Sequence, residues 1–346
     1  MSAPAEKPVT IAVAGTGAMA RYHVQRFRAF PHVEVVGCYD RKADRAQAFA
    51  AEAGIAMAAD TVEGLLDRSA PDGLTVASAD AEQHYAVSAA LERDIPLFVE
   101  KPFGTSSAEA AELAALQRER DVPVLVNFSK LNFPAIWGLV QLVETGGLGA
   151  PRSVELSYLQ SWIVSTVWGR WWEEPRWLWR ISSHKGGGGA ARDLGSHLFY
   201  LLFRLGGAAT LRSGRTEIRA DRSAAAESGA SCDLNDTFTA ELALSSGATA
   251  TVHASYAAPD YVNYLYARVV GERGEATVHA EKEKSTLELT RPHGTAPRPV
   301  RFGKVFSTYD LFLSRLSADA EHPADALDSS AEKTIHVHRI IEGLDT

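Results

Sequence analysis

A chain of 346 residues, 46% hydrophobic and 23% charged, carries enough apolar material for two ordinary globular domains. Its net charge of −8 excludes a global basic field, so neither nucleic acid nor an anionic membrane is an expected partner. The cysteines Cys38 and Cys232 make no disulfide framework and no metal-type spacing. Met1 to Pro8 lacks the apolar core of a signal peptide, and no apolar run reaches bilayer length; a cytoplasmic protein without a metal is expected.

Val9 to Ala14 is a short β-branched run that reads as a buried strand. The turn Gly15-Thr16-Gly17-Ala18-Met19-Ala20 follows it and opens a helical pattern that reaches about Phe30. Val33 to Tyr39 is the next strand, and Asp40 ends it, 23 positions after Gly17. Strand, glycine turn, helix, strand and acid form the dinucleotide-binding layout. Gly15 permits the tight turn. Gly17 lets backbone at Ala18 and Met19 meet a pyrophosphate on the positive end of the helix, and Ala20 replaces the third glycine. Asp40 suits the adenosine ribose hydroxyls and favours NAD; Arg41 beside it is a candidate for the 2′-phosphate of NADP, or a solvated charge.

The alternation continues. Helices are expected over Lys42 to Ala53, Thr61 to Arg68, Glu82 to Arg93 and Ser106 to Arg120. Strands are expected at Leu74 to Ser78, Pro96 to Val99 and Val122 to Val126. Such a pattern predicts a doubly wound parallel sheet with ligands at the C-terminal strand ends, where Ser78 and the run Glu100-Lys101-Pro102 fall. Phe133 to Glu144 reads as a helix and Arg152 to Gln160 as a strand. Six tryptophans (Trp162, Trp168, Trp171, Trp172, Trp177 and Trp179) are interleaved with Arg170, Arg176 and Arg180. Such a segment either roofs a polyhydroxy ligand, with Trp172 and Arg176 as contacts, or packs on protein.

Gly186 to Gly189 then lead into a helix expected over Ala190 to Leu205. On it Asp193 and His197 stand at i and i+4 and share one face. Glycines here let backbone approach a ligand closely, so bulk at Gly188 is expected to harm binding before folding. Strands without intervening helices follow, near 211–219, 236–244, 248–255, 264–271, 276–280, 286–289 and 300–302, which predicts an antiparallel sheet. Residues 220–231 are small and polar and read as a mobile loop. Thr308 to Ala320 and Ser329 to Glu342 read as helices, with His336 and His338 as surface or packing residues.

Three features together resemble the Gfo/Idh/MocA oxidoreductases, the group of glucose–fructose oxidoreductase and inositol dehydrogenase. They are Gly15-x-Gly17 with Ala20 and His23 downstream, Glu100-Lys101-Pro102, and Gly187-Gly188-Gly189 leading to Asp193-x-x-x-His197. The resemblance runs over essentially the whole chain. It implies an α/β fold with an N-terminal Rossmann domain (1–128) and a C-terminal α+β domain (129–346) on a large open, mostly antiparallel sheet. The last helix is a candidate to return to the first domain, and the open sheet is a candidate surface for homo-oligomerisation.

It also implies a site. Lys101 would lie near the nicotinamide and substrate hydroxyl, Asp193 and His197 would face it, and Trp179-Arg180 and Glu100 would lie near the cofactor. Oxidising a secondary alcohol removes a hydride, which the nicotinamide takes, and a proton, which needs a base near neutrality. His197 suits that base, with Asp193 orienting it or gripping another hydroxyl. Lys101 would stabilise the alkoxide or, with a depressed pKa, be the base itself. The expected activity is an NAD(P)-dependent dehydrogenase or ketoreductase of a sugar, sugar derivative or cyclitol. Relatives with recycled NAD, which cleave or epimerise by transient oxidation, are an alternative, as is a dinucleotide-sensing regulator. The chain departs from the family pattern at Tyr200, where an acid is frequent, at Ser78-Ala79-Asp80 in place of a Thr-Pro step, and at Lys130, where arginine is frequent.

Overall fold

The computed structural model describes residues 7–166, 168–227, 229, 231–282, 284–291, 296–300, 307–316 and 331–344. The described residues divide into two compact units, one over Met1–Phe128 with Phe306–Ile335, the other over Ser129–Val305 with His336–Thr346.

The first unit alternates strand and helix: β1 (Val9–Ala14), α1 (Ala18–Arg28), β2 (Val33–Tyr39), α2 (Ala43–Ala53), β3 (Met57–Ala59), α3 (Val62–Ser69), β4 (Gly73–Val76), α4 (Asp80–Leu91), β5 (Leu97–Glu100), α5 (Ser107–Arg120) and β6 (Val124–Asn127). The strands pair in parallel in the order β3-β2-β1-β4-β5-β6. Covered on both faces, a parallel sheet needs apolar side chains at successive positions. Ile11 to Ala14 and Leu97 to Val99 are all fully enclosed. The order reverses between β1 and β4, which opens a ligand crevice at their C-terminal ends.

The second unit holds α6 (Pro134–Glu144), β7 (Pro151–Leu159), α7 (Pro175–Leu178), α8 (Gly189–Asp193), α9 (Gly195–Gly206), β8 (Ala209–Glu217), α10 (Ser223–Glu227), β9 (Thr237–Leu244), β10 (Thr249–Ser255), β11 (Tyr264–Gly271), β12 (Gly274–Glu281), β13 (Lys284–Thr290) and β14 (Arg298–Pro299). Its eight-stranded sheet runs β14-β13-β12-β11-β7-β10-β9-β8 and is antiparallel at every described pairing except β7–β10. Period-two alternation sets its faces: on β11, Leu265, Ala267 and Val269 are buried, while Tyr264, Tyr266 and Arg268 are not.

Three segments depart from the sequence expectation. The helix expected over Ala190 to Leu205 is two helices, α8 and α9, with Leu194 between them. Gly195-Ser196 is the kind of pair at which helices kink. A side chain at Gly195 would press within 3.0–3.1 Å of Phe199 and Phe238, so the glycine makes room for that ring pair. The stretch read as a mobile loop carries α10. It is pinned by Arg222, whose Nη2 lies 2.9 Å from the fully buried Asp236 carboxylate. The third is α11 (Thr308–Leu316), which belongs to the first unit although a division after residue 128 leaves it to the second. Tyr309 and Phe312 on this helix pack against Phe98 and Phe27. The final helix, α12 (Ala331–Leu344), is divided between the units. On it, His338 is buried and His336 lies against Phe203, so both act in packing.

Candidate active site

In the first unit the glycine turn is built by exclusion. Gly15 has φ +105°, and a Cβ there would lie 2.6 Å from the Ala77 carbonyl oxygen, so only glycine lets β1 pass the end of β4. Gly17 is different. It is the N-cap of α1, and among the described residues no side chain caps that helix and a Cβ there would meet nothing within 4 Å. The positive end of α1, with the exposed Ala18 and Met19 in its first turn, thus faces open space suited to an anion.

Asp40, one residue past β2, is already oriented. Thr16 Oγ1 donates to its Oδ2 at 2.5 Å and the Lys42 amide to its Oδ1 at 3.0 Å. Arg41 points its guanidinium at Glu82 Oε1, 2.9 Å away. Ser78 Oγ is enclosed and meets no hydrogen-bond partner among the described residues, the kind of orphan that a bound polar group satisfies. An uncapped helix end, an open glycine, a fixed carboxylate and an orphan hydroxyl fit a dinucleotide.

The run Glu100-Lys101-Pro102 is anchored from below. Glu100 Oε1 accepts from Asn127 Nδ2 at 2.7 Å and pairs with His23 Nε2 at 2.9 Å. His23 Nδ1 lies 2.7 Å from Thr75 Oγ1, and Thr308 Oγ1 donates to Asn127 Oδ1 at 2.8 Å. Gln83 donates to the Glu100 carbonyl and accepts from the Gly104 amide, clamping both sides of Lys101 and its cis bond to Pro102. Glu100 therefore serves the loop's position. Of the residues that anchor Glu100, only His23 stands out in the sequence, because Asn127, Thr75, Thr308 and Gln83 come from four other elements.

In the second unit, α8 starts on a cap supplied by a distant segment. The Asn235 carbonyl accepts from the Ala190 amide, and Asn235 Oδ1 from the Ala191 amide, each at 3.0 Å. The glycines before it are required by the chain's own packing. A Cβ at Gly187 would lie 2.0 Å from the Trp179 carbonyl oxygen, and one at Gly189, with φ +66°, 2.7 Å from that of Asn235. At Gly188 the first obstacle is the Arg192 side chain, which a Cβ would approach to 2.2 Å. Close approach to a ligand is thus not needed to account for Gly187 to Gly189.

Asp193 ends α8. Its Oδ2 accepts from Tyr256 Oη at 2.8 Å and from Arg180 Nε at 3.2 Å. Burial, then the Asp193 charge, pushes the Tyr256 phenol well above its ordinary range, so Tyr256 stays a donor. Arg180 lies over the rings of Trp177 and Trp179 at 5.0 and 4.9 Å. His197, near the start of α9, is 7% exposed and edge-on to Tyr158. Lys130 Nζ lies 5.2 Å from the same Tyr158 ring. Tyr200 is fully buried, so it replaces the family's acid with core.

The tryptophan segment packs chiefly on itself. Trp162 and Trp171 are buried, and Trp162 stacks on Trp177 at 5.2 Å and meets Tyr256 at 4.8 Å. Trp172 is half-buried beneath Arg170, and Trp179 is exposed. The side chain of Arg176 lies outside the described residues. Sequence reasoning missed Tyr256 and Asn235, which carry no motif and reach α8 from residues far along the chain.

Two adjoining family profiles match this sequence. One, described as an oxidoreductase family with an NAD-binding Rossmann fold, covers residues 9–128; the other, a GFO/IDH/MocA C-terminal domain, covers residues 138–277. The chain belongs to the Gfo/Idh/MocA family. Residues 9–128 of this Gfo/Idh/MocA protein are its NAD-binding Rossmann domain. An uncharacterized oxidoreductase of Synechocystis is 27% identical over 62% of this chain and 56% of its own length. The UDP-N-acetylglucosamine 3-dehydrogenase of Acidithiobacillus ferrooxidans is 30% identical over 42% of this chain and 44% of its own. The chain spans about half the length of the curated relatives it matches. A crystallised NAD-binding oxidoreductase of Klebsiella pneumoniae shares the fold with a TM-score of 0.79 at 18% identity, over 98% of this chain and 96% of that one. No helix among the described residues is long and apolar enough to cross a membrane.

Proposed function

We propose that this chain is an NAD(P)-dependent dehydrogenase or ketoreductase acting on a secondary hydroxyl or ketone of a sugar, sugar derivative or cyclitol. The observation that carries the reading is the uncapped N-terminus of α1 at an open Gly17, beside an Asp40 carboxylate fixed by Thr16 and Lys42. The amides after Gly17 hold the pyrophosphate, Asp40 the adenosine ribose, and Ser78 Oγ a further polar group. Trp179 and Arg180 are assigned to the cofactor as well. The bound nicotinamide supplies the hydride acceptor or donor.

The chain's side chains handle the proton. His197 takes it from the substrate hydroxyl in oxidation and returns it in reduction, with Lys101 stabilising the alkoxide through its ammonium; a neutral Lys101 would exchange those roles. Asp193, held by Tyr256 and Arg180, grips a neighbouring hydroxyl rather than serving as a base. Support comes from its two donors, which fix the orientation of the carboxylate. Trp172 and Arg176 are assigned to the substrate. The named activity of the Acidithiobacillus relative, on a sugar nucleotide, supports a sugar-type substrate. Polar and charged residues on one face of the second unit's sheet, among them Ser153, Glu155, Thr251 and Arg268, are the proposed surface for self-association.

A panel of sugars, sugar nucleotides and inositols, followed by absorbance with NAD and with NADP, tests the reading. Lys101→Ala and His197→Ala are each expected to lower kcat at least about a hundredfold while dinucleotide affinity changes less than about threefold, under 1 kcal/mol. Wild-type turnover in the double variant would sink the assignment.

A further inference from the structure

The end of β2 holds an arrangement that the proposed reaction leaves unexplained. Arg41 follows Asp40 and stands where a guanidinium meets a 2′-phosphate. It is 72% exposed, yet its Nη1 lies 2.9 Å from Glu82 Oε1, a carboxylate near the start of α4. Glu82 lies in the first turn of α4, and the connection that leads to it packs on the turn after β1, where the missing Cβ of Gly15 lets the Ala77 and Ser78 backbone close in. A third acid, Glu63, accepts from Tyr85, whose ring lies edge-on to Tyr39 at 6.3 Å. Arg45 Nη2 is 3.7 Å from Asp40 Oδ2. Among the described residues, Asp40, Glu63 and Glu82 thus gather near the end of β2 with Arg41 and Arg45, and Lys42 and Asp44 follow in the chain. The Tyr39 phenol lies among several of them. Burial raises it first, and Glu82, Asp40 and Glu63 raise it further, against the single opposing effect of Arg41.

We propose that Glu82 is a cofactor-specificity residue: by holding Arg41 in an ion pair it withholds the cation a 2′-phosphate would need, and so selects NAD over NADP. The inference rests on the reading that residues 9–128 bind a dinucleotide. Its chemistry is that of discrimination by repulsion as well as attraction. A 2′-phosphate carries close to two negative charges and would meet Asp40 directly, with Arg41 already engaged by Glu82. A ribose 2′-hydroxyl donates to Asp40 and needs no cation. Removing the Glu82 charge frees the guanidinium and leaves Asp40, Thr16 and the glycine turn in place.

Titration calorimetry of the full chain with NAD+ and with NADP+ tests it, on the wild type, Glu82→Gln, Arg41→Gln and the double variant. The wild type is expected to bind NAD+ at least about tenfold more tightly. Glu82→Gln should tighten NADP+ roughly three- to tenfold, in keeping with a partly exposed charge pair, and leave NAD+ within about twofold. The double variant should lose that gain, because it runs through Arg41. A wild type that prefers NADP+, a Glu82→Gln variant that tightens neither or both alike, or a gain that survives without Arg41 would each overturn the proposal. A wild type that binds neither dinucleotide would instead sink the underlying reading. Thermal melts establish that each variant folds, and Glu82→Ala repeats the measurement should the glutamine variant not.

Discussion

Tyr256 Oη donates to Asp193 Oδ2 across 2.8 Å, joining the end of β10 to the end of α8 across 63 positions of sequence. The phenol is fully buried and Arg180 reaches the same oxygen, so the carboxylate is held by a neutral and a charged donor together. Tyr256→Phe removes one donor and keeps the ring against Trp162. A loss of about 1.5–3 kcal/mol is expected, the range for a hydrogen bond to a charged group. Urea unfolding measures it, and a loss below about 0.5 kcal/mol would mean that Arg180 alone suffices.

The two glycines of the first turn should respond oppositely to alanine. Gly17→Ala places its methyl in open space, so stability is expected to stay within about 0.5 kcal/mol, while NAD+ affinity falls at least about tenfold as the methyl enters the pyrophosphate's space. Gly15→Ala, with φ +105° and the Ala77 carbonyl 2.6 Å away, should cost about 2–4 kcal/mol of folding free energy. Parallel urea and calorimetric titrations of both variants check the contrast. Equal loss of stability in the two would refute it.

His253 on β10 gives a pH signature. Burial lowers its pKa, and the hydrogen bond to the Phe238 carbonyl only partly opposes this. The unfolded chain then binds the proton more readily than the folded one. Stability is full above the ordinary value of about 6.5. It falls as pH drops below that value, and the loss levels off once the folded imidazole protonates too. His253→Gln should flatten this part of the stability–pH curve. An unchanged slope between about pH 6.5 and 5 would assign the acid sensitivity elsewhere.

Local chemistry was legible in the sequence; remote partnership was not. β1, the turn to Gly17 and Asp40 could be read because a buried parallel strand, a glycine turn and a strand-end acid are each specified within a few residues. β3, only Met57–Ala59, carries no β-branched run and left no signal. The i, i+4 spacing of Asp193 and His197 suggested a pair on one helix, but helical spacing says nothing of the partner that arrives from β10 or of the kink at Leu194. The glycine run was read for its freedom to approach a ligand. What it meets is the Trp179 carbonyl and Asn235, contacts made only after the segments before and after it have folded.

The helix α11 carries a consequence for biosynthesis. Tyr309 meets Phe98 at 4.8 Å and Phe27 at 5.1 Å, and Thr308 closes the chain of hydrogen bonds that runs through Asn127 to Glu100. Asn127 waits 181 residues for its partner to leave the ribosome, and Phe98 and Phe27 wait longer, while domains otherwise fold in the order of synthesis. The Rossmann sheet therefore emerges first but is finished late. A polypeptide stopped at residue 128 would keep the contact between Phe27 and Phe98 but lack the Tyr309 and Phe312 rings that cover both, leaving this part of the first unit's core open until translation is nearly over.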